Sequence, residues 1–333
     1  MNVRLPRLSG RRLISTTAVA ATTVLGLTAL SACSATSAAD GKNSDGKLDV
    51  VASFYPMQFL AERIGGEHVS VTNLTEPGQE PHDLEVSAQQ RGRIEQAGVA
   101  LYLKGLQPSV DEAISQSGIK TKVDAASLTS LEKHGSEVGG HAEEHDEHGE
   151  HEGHDHGGEE GSDPHIWLDP VKYAEVAQGV GKALEKADPD HAADYKKNTA
   201  ALVADLGKLD QKFKDGLKNT DSKVFITTHA AFGYLAERYG LTEEAISGLD
   251  PESEPSAARV KDLQKMAKAD GVTTVFYETL VSDKTAKTLA GDAHLRTDVL
   301  DPLEGITKKS KGEDYVQVME SNLAALQKAL GAK

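Results

Sequence analysis

The sequence predicts an α/β protein of two similar halves, each a mainly parallel sheet covered by helices, joined by one long helix. Three observations predict it. Short apolar runs alternate with amphipathic segments from Leu48 to about residue 120, the same alternation returns after Lys223, and between the two lies a single extended apolar stripe at helical spacing.

In the first half, LDVVAS (48–53), VSVTNL (69–74) and VALYL (99–103) read as buried strands, with helices near 56–65, 87–97 and 109–117. Strands separated by helices pair in parallel and are covered on both faces. In the second half, KVFITT (223–228), a piece near 243–248, TTVFY (273–277) and RTDVL (296–300) read as strands, with helices near 230–240, 256–269, 283–291 and 313–330. After Asp188-Pro189, the residues Tyr195, Leu202, Leu206, Leu209, Phe213 and Leu217 recur on one helical face. A helix of about 28 residues is ~40 Å long, enough to run through the molecule as a strut, although a hairpin within one half has the same pattern. The expected domains are 48–187 and 220–333, with 188–219 as the link.

The chain opens with Arg4, Arg7, Arg11 and Arg12, then an uncharged run from Leu13 to Ala32. A charged leader before an apolar segment is an export signal. Leu30, Ser31, Ala32 and Cys33 resemble a bacterial lipobox. Residues 1–32 are therefore expected to be a lipoprotein signal peptide. Cys33 would carry lipid at the outer face of the cell membrane, and 33–47 would be a flexible tether. Cys33 is the only cysteine, so no internal disulfide can form and the core must hold the fold. The net charge of −16 becomes −20 without the four leader arginines. That balance argues against nucleic acid as a partner and favours cations.

Over half of that charge is local: residues 134–163 hold eleven Asp and Glu, no Lys or Arg, and seven histidines. With almost no apolar surface to bury, the segment is expected to be a disordered loop. His141, His145, His148, His151, His154 and His156 would offer weak, unselective accessory sites for transition metals, because each binding event must order the chain.

Three other histidines have a different setting. His82 in EPGQEPHDLE follows the second strand, His165 in DPHIWLDP sits at an expected strand-to-helix junction, and His229 in FITTHAAFGYLAERYG follows the first strand of the second half. Ligands in open α/β sheets bind at the carboxyl ends of strands, so the three can converge between the halves. Zinc commonly adds an oxygen donor. Glu304 in LDPLEG occupies an equivalent loop, with Asp301 and Glu278 as rivals. His68, His191 and His294 lack this setting and read as surface residues.

EPHDLE, DPHIWLDP, THAAFGYLAERYG with LTEEAISGLDPESEPSA, and VLDPLE, in this order after a lipobox, resemble the zinc-binding lipoproteins of bacterial ABC importers, the cluster A-I solute-binding family; the resemblance covers Leu48 to Gly331. It implies two pseudo-symmetric domains joined by a rigid backbone helix, with metal in the cleft. It also implies that His82, His165 and His229 are the three family histidines and that Glu304 matches the acidic fourth ligand of some zinc members. Other members use an Asp or water there, so Asp301 stays open. Manganese members typically replace the third histidine by Glu; His229 and the His-rich insert favour Zn2+.

The expected function is capture of Zn2+ outside the cytoplasm by a monomer that delivers it to an ABC permease and its ATPase. The alternatives are a surface adhesin or metal store, or an importer component for manganese or another transition metal. A zinc hydrolase would need an open coordination position, and the chain has no HExxH motif; no enzyme activity is expected.

Overall fold

The computed structural model describes residues 41–135, 137–138 and 162–333, all within one compact unit, Ser37–Lys333. The leader, Cys33 and the histidines at 141, 145, 148, 151, 154 and 156 lie outside the described residues. Among the described residues, no helix is long and apolar enough to cross a membrane.

The first sheet contains β1 (Leu48–Ala52), β2 (Val69–Asn73), β3 (Val99–Tyr102) and β4 (Thr121–Asp124), all parallel, in the order β2-β1-β3-β4. Residues such as Val50, Val51, Val99 and Leu101 are buried, as both faces of a helix-covered sheet require. The helices are α1 (Tyr55–Gly65), α2 (Ala88–Gln96) and α3 (Pro108–Gln116). Pro56 lies in the first turn of α1, where its missing N–H costs nothing, and Ser87 with Gln90 forms a capping box at α2. β4 was not predicted. Its sequence, TKVD, buries only Val123 and carries no apolar run to read.

The second sheet contains the two-residue strand β5 (Glu137–Val138), then β6 (Val224–Thr227), β7 (Thr242–Ala245), β8 (Thr274–Tyr277) and β9 (Arg296–Val299), in the order β5-β7-β6-β8-β9. β5 is the antiparallel member, on the outer edge. Without it the order β7-β6-β8-β9 repeats that of the first sheet: in each half the first parallel strand is central. The helices here are α6 (Gly233–Tyr239), α7 (Ala257–Ala269), α8 (Lys284–Ala293) and α9 (Tyr315–Leu330).

Between the halves, α4 (Pro170–Ala187) is capped by the Asp169 carboxylate, which accepts from Val171 N at 2.8 Å. A 3-10 turn, Pro189–His191, leads into α5 (Ala192–Leu217), 26 residues long. The predicted link from 188 to 219 is thus a turn and a shorter helix, because Asp188 and Pro189 break the chain away from α4. α5 packs along α4 and α1 on the first half and against α9 and α6 on the second. The hairpin and the strut therefore coexist. One hydrophobic core runs across both halves, from Leu48 and Phe54 through Trp167 and Phe213 to Leu303 and Tyr315, with separate clusters on the outer face of each sheet.

Two expectations need correcting. The expected tether 33–47 is not free over its last residues: Gly41, at φ +67°, packs against Gly98, where an added Cβ would come within 2.3 Å of the Gly98 Cα. Lys42 bridges to Leu48 and its Nζ lies 2.8 Å from the buried Asp188. The expected loop 134–163 is also ordered at both ends. His134 and Asp163 face each other at 2.7 Å, and Asp163 N donates to Glu132 O at 2.9 Å.

Candidate metal centre

His82, His165, His229 and Glu304 come together from four separate loops, their donor atoms all within 4.8 Å of one another. His82 lies in the loop between β2 and α2. His229 follows β6, and Glu304 lies in the loop between β9 and α9. His165 does not occupy a strand-to-helix junction. It precedes a 3-10 turn, Ile166–Leu168, whose three apolar side chains are buried and anchor the loop before α4.

Glu304 Oε1 lies 3.2 Å from His82 Nε2, 3.4 Å from His165 Nε2 and 3.4 Å from His229 Nε2, and the last two nitrogens are 3.4 Å apart. Zinc bound at ~2.0–2.1 Å by a tetrahedron of N and O donors sets those donors ~3.3 Å from each other. Four of the six donor-to-donor spacings match the edges of that tetrahedron, and all six lie within 4.8 Å. Glu304 Oε2 has no hydrogen-bond partner although the side chain is fully buried, an arrangement that costs stability unless a cation compensates it.

Two of the imidazoles are held from behind. Asp163 Oδ1 is 2.7 Å from His165 Nδ1, and Glu278 Oε1 is 2.6 Å from His229 Nδ1. A carboxylate accepts only, so each Nδ1 donates and each Nε2 faces the centre, where its lone pair is available to a metal once the ring is neutral. Glu278, a rival for fourth ligand on sequence grounds, therefore sits on the far side of His229, where Thr228 Oγ1 also donates to it. Asp301, the other rival, organises the turn. Its Oδ1 accepts from Leu303 N at 2.9 Å and its Oδ2 from Thr279 Oγ1 at 3.3 Å, while Asn322 bonds both its backbone groups. That clamp holds Leu303 at φ +61°, a left-handed conformation that costs a branched side chain roughly 1–2 kcal/mol, and so aims Glu304 inward.

The electrostatics follow from this packing. Burial disfavours charge on His165, but the charge and hydrogen bond of Asp163, with Glu304, outweigh it and raise the imidazole to about 9. Burial likewise opposes charge on His229, and Glu278 with Glu304 overcomes it, placing His229 well above its ordinary value. For Glu304, burial alone would favour the neutral acid; hydrogen bonds from the three imidazoles hold it well below the usual carboxylate range. Burial and the nearby Glu304 raise Glu80 to about 7. In the absence of metal the site therefore stores protons where it would hold a cation.

His82 is the most accessible of the four, with its side chain 12% exposed. A groove of about 450 Å³, walled by Tyr55, Phe59 and Thr75 on one side and Ile306 and Asp314 on the other, reaches Glu304. A cavity of about 500 Å³ near Lys42, Glu95 and Asp190 contains none of the four donors.

Sequence reasoning passed over Asp163, the last residue of a low-complexity acidic stretch; its place two residues before His165 was the available signal. It also passed over Glu243, fully buried on β7 and raised to about 7 by burial despite hydrogen bonds from Thr227 Oγ1 and Phe232 N.

Comparison with known proteins gives a consistent result. The model of the family described as zinc-uptake complex component A, periplasmic (ZnuA) matches residues 50–329. The high-affinity zinc uptake system protein ZnuA of Bacillus subtilis is 37% identical over 311 residues, covering 91% of this chain and 94% of that protein. The zinc-binding lipoprotein AdcA of Streptococcus pneumoniae is 36% identical over 291 residues, covering 86% of this chain and 56% of its own length. The chain thus spans about half the length of the streptococcal relatives it matches. The Zn(II)-bound ZnuA-like domain of S. pneumoniae AdcA superposes with a TM-score of 0.68 at 33% identity, over 86% of this chain and 99% of that one.

Proposed function

This chain belongs to the zinc-uptake complex component A family, and from that premise we propose that it captures Zn2+ between its two halves and delivers the ion to an ABC permease driven by an ATPase. Zinc is cargo here. The observation that carries the reading is the spacing of the four donors, 3.2–3.4 Å between neighbours around Glu304 Oε1. Three neutral imidazoles and one carboxylate complete a tetrahedral shell of net charge +1 with Zn2+. Such a donor set favours a borderline-soft ion over Mg2+ or Ca2+, which take oxygen shells. It leaves no position for a reactive water, which supports a carrier and not an enzyme.

The leader supports export, lipid attachment at Cys33 and retention at the outer face of the cell membrane, where the chain acts as a monomer. His141, His145, His148, His151, His154 and His156 serve as weak accessory sites that raise the local metal concentration.

The test is competition for zinc against a strong chelator, followed by the emission of Trp167, whose ring lies 5.2 Å from that of His165. One tight site that is lost in His82→Ala, His165→Ala and His229→Ala supports the reading. Tight binding that survives all three substitutions would refute it. The same titration with Mn2+ decides the metal, since equal affinity for both ions would leave no zinc preference to propose.

A further inference from the structure

We propose that His134 is a positioning residue for the metal site, acting through the two oxygens of Asp163 to fix the ring of His165. The inference rests on the zinc-capture reading. By composition His134 is only the first of seven histidines in the acidic insert; its contacts set it apart.

The Asp163 side chain is fully buried, and its oxygens are divided between two imidazoles. Oδ1 accepts from His165 N at 2.9 Å and meets His165 Nδ1 at 2.7 Å; Oδ2 meets His134 Nδ1 at 2.7 Å. Because the carboxylate can only accept, both rings donate from Nδ1. His134 is itself fixed. Its side chain is 7% exposed, its Nε2 lies 3.3 Å from Glu237 Oε2, and its ring stands edge-on to Tyr234 at 4.6 Å. It lies over Gly233, where an added Cβ would come within 2.6 Å of the ring. The Tyr234 hydroxyl donates to Asp163 O at 2.8 Å and accepts from Glu132 N at 2.9 Å, so the backbone around the carboxylate is also held.

Without His134, Oδ2 would be left buried and unpaired, and the carboxylate could rotate away from His165. Partners behind a metal-bound histidine set its orientation and basicity, and their loss costs ~10–100-fold in affinity. His134 lies one contact further out, so about tenfold is expected.

The experiment is zinc competition on the full-length chain carrying His134→Ala, His134→Asn or His165→Ala, with a fourth chain lacking residues 139–161. The Asn amide can donate to Asp163 from nearly the place of Nδ1. His134→Ala should bind zinc about tenfold more weakly with the same stoichiometry, and His134→Asn should recover most of the loss. The deletion should keep the tight affinity, and the metal-free melting temperatures of the two His134 variants should agree. Wild-type affinity in His134→Ala would overturn the proposal, as would a weakening that Asn fails to rescue. So would a loss of one bound ion with the tight affinity intact, which would make His134 an ordinary ligand of the insert. If His165→Ala itself keeps the tight site, the zinc-capture reading falls first.

Discussion

The indole N–H of Trp167 donates to the carbonyl of Pro302 at 2.7 Å and ties the loop that carries His165 to the loop that carries Glu304. The ring is fully buried and packs edge-on against Phe54 at 5.0 Å. Replacing Trp167 with Phe keeps part of the packing but leaves the Pro302 carbonyl unpaired and a gap beside it. The expected loss is about 2–3 kcal/mol of stability in urea denaturation, with several-fold weaker zinc binding. A variant as stable as the parent would show that the two loops are held together by something else.

The three acids near the centre separate by role. Glu304→Gln replaces the carboxylate shared by all three histidines with a neutral amide and should weaken zinc by more than about 100-fold, whereas Glu278→Gln, acting behind His229, should cost about 10–100-fold. Asp301→Asn disturbs the turn around Leu303 and should reduce stability by about 1–3 kcal/mol with a smaller effect on zinc. The decisive comparison is chelator competition across the three variants. If Asp301→Asn weakened binding more than Glu304→Gln, the fourth donor would have to be reassigned.

The uneven legibility of this site in the sequence has a physical basis. His165 and His229 stand out because each sits in an apolar phrase, and His82 because it lies in a proline-flanked loop just past β2; chain direction in a parallel sheet sends the loops after β2 and β6 to the carboxyl edge of each sheet. The choice among Glu278, Asp301 and Glu304 is hidden because all three follow β8 or β9 closely, and only the direction of each side chain separates them. That direction depends on Leu303 at φ +61° and on Asn322, twenty-one positions from Asp301 in the sequence. Composition also misplaced His134 and Asp163, since an acidic, glycine-rich stretch reads as unfolded while its two ends are paired across it. Glu243 and Glu244 were not expected in a core. Both are buried on β7, where Arg259 Nη2 reaches Glu244 at 2.9 Å.

Zinc binding should depend on pH over a higher range than free histidine would suggest. In the metal-free protein the raised pKa of His165 contributes stability that is complete below about pH 6.5 and is lost as pH rises through about 9. Zinc requires the neutral ring, so metal must displace that proton. Affinity should therefore keep rising between about pH 7 and 9, with measurable proton release on binding near neutrality. A titration series that levels off above about pH 7 would mean the site is already neutral before metal arrives.

Asp188 offers a separate test at the opposite end of the first sheet. Burial would raise its pKa, but Lys42 Nζ at 2.8 Å, His191 Nδ1 at 2.6 Å and Tyr195 OH at 2.7 Å outweigh it and lower it from 3.8 to about 2. His191 in turn stacks on His68 at 3.9 Å, so neither is a free surface residue. The depressed pKa supplies about 2 kcal/mol that is present above about pH 4 and disappears as pH falls through about 2. Asp188→Asn should lose about that much at neutral pH, and its stability should converge with the parent in strong acid. A constant difference at every pH would assign the loss to shape and not to charge.

Metal binding should leave the two halves nearly where they are. Phe54 and Trp167 from the first half share one core with Leu303 and Tyr315 from the second, and the buried face of α5, from Tyr195 to Leu217, is braced against both. A wide hinge opening would separate these surfaces. Each large aromatic covers ~200 Å², so exposing one costs about 5 kcal/mol at ~25 cal/mol per Å², and several would have to be exposed together. A bound ion can drive such an opening or closure only by its differential affinity for the two forms, which here would have to exceed the cost of exposing several aromatics at once. Release and capture should instead involve the loop that carries His82, the most accessible donor, and the segment just after Glu304, where Gly305 and Ile306 line the groove. Scattering profiles of the metal-free and zinc-loaded chain should superpose, and crystal structures of the two states should differ mainly in those loops; a large rigid-body rotation of one half against the other would refute the bracing role given to α5.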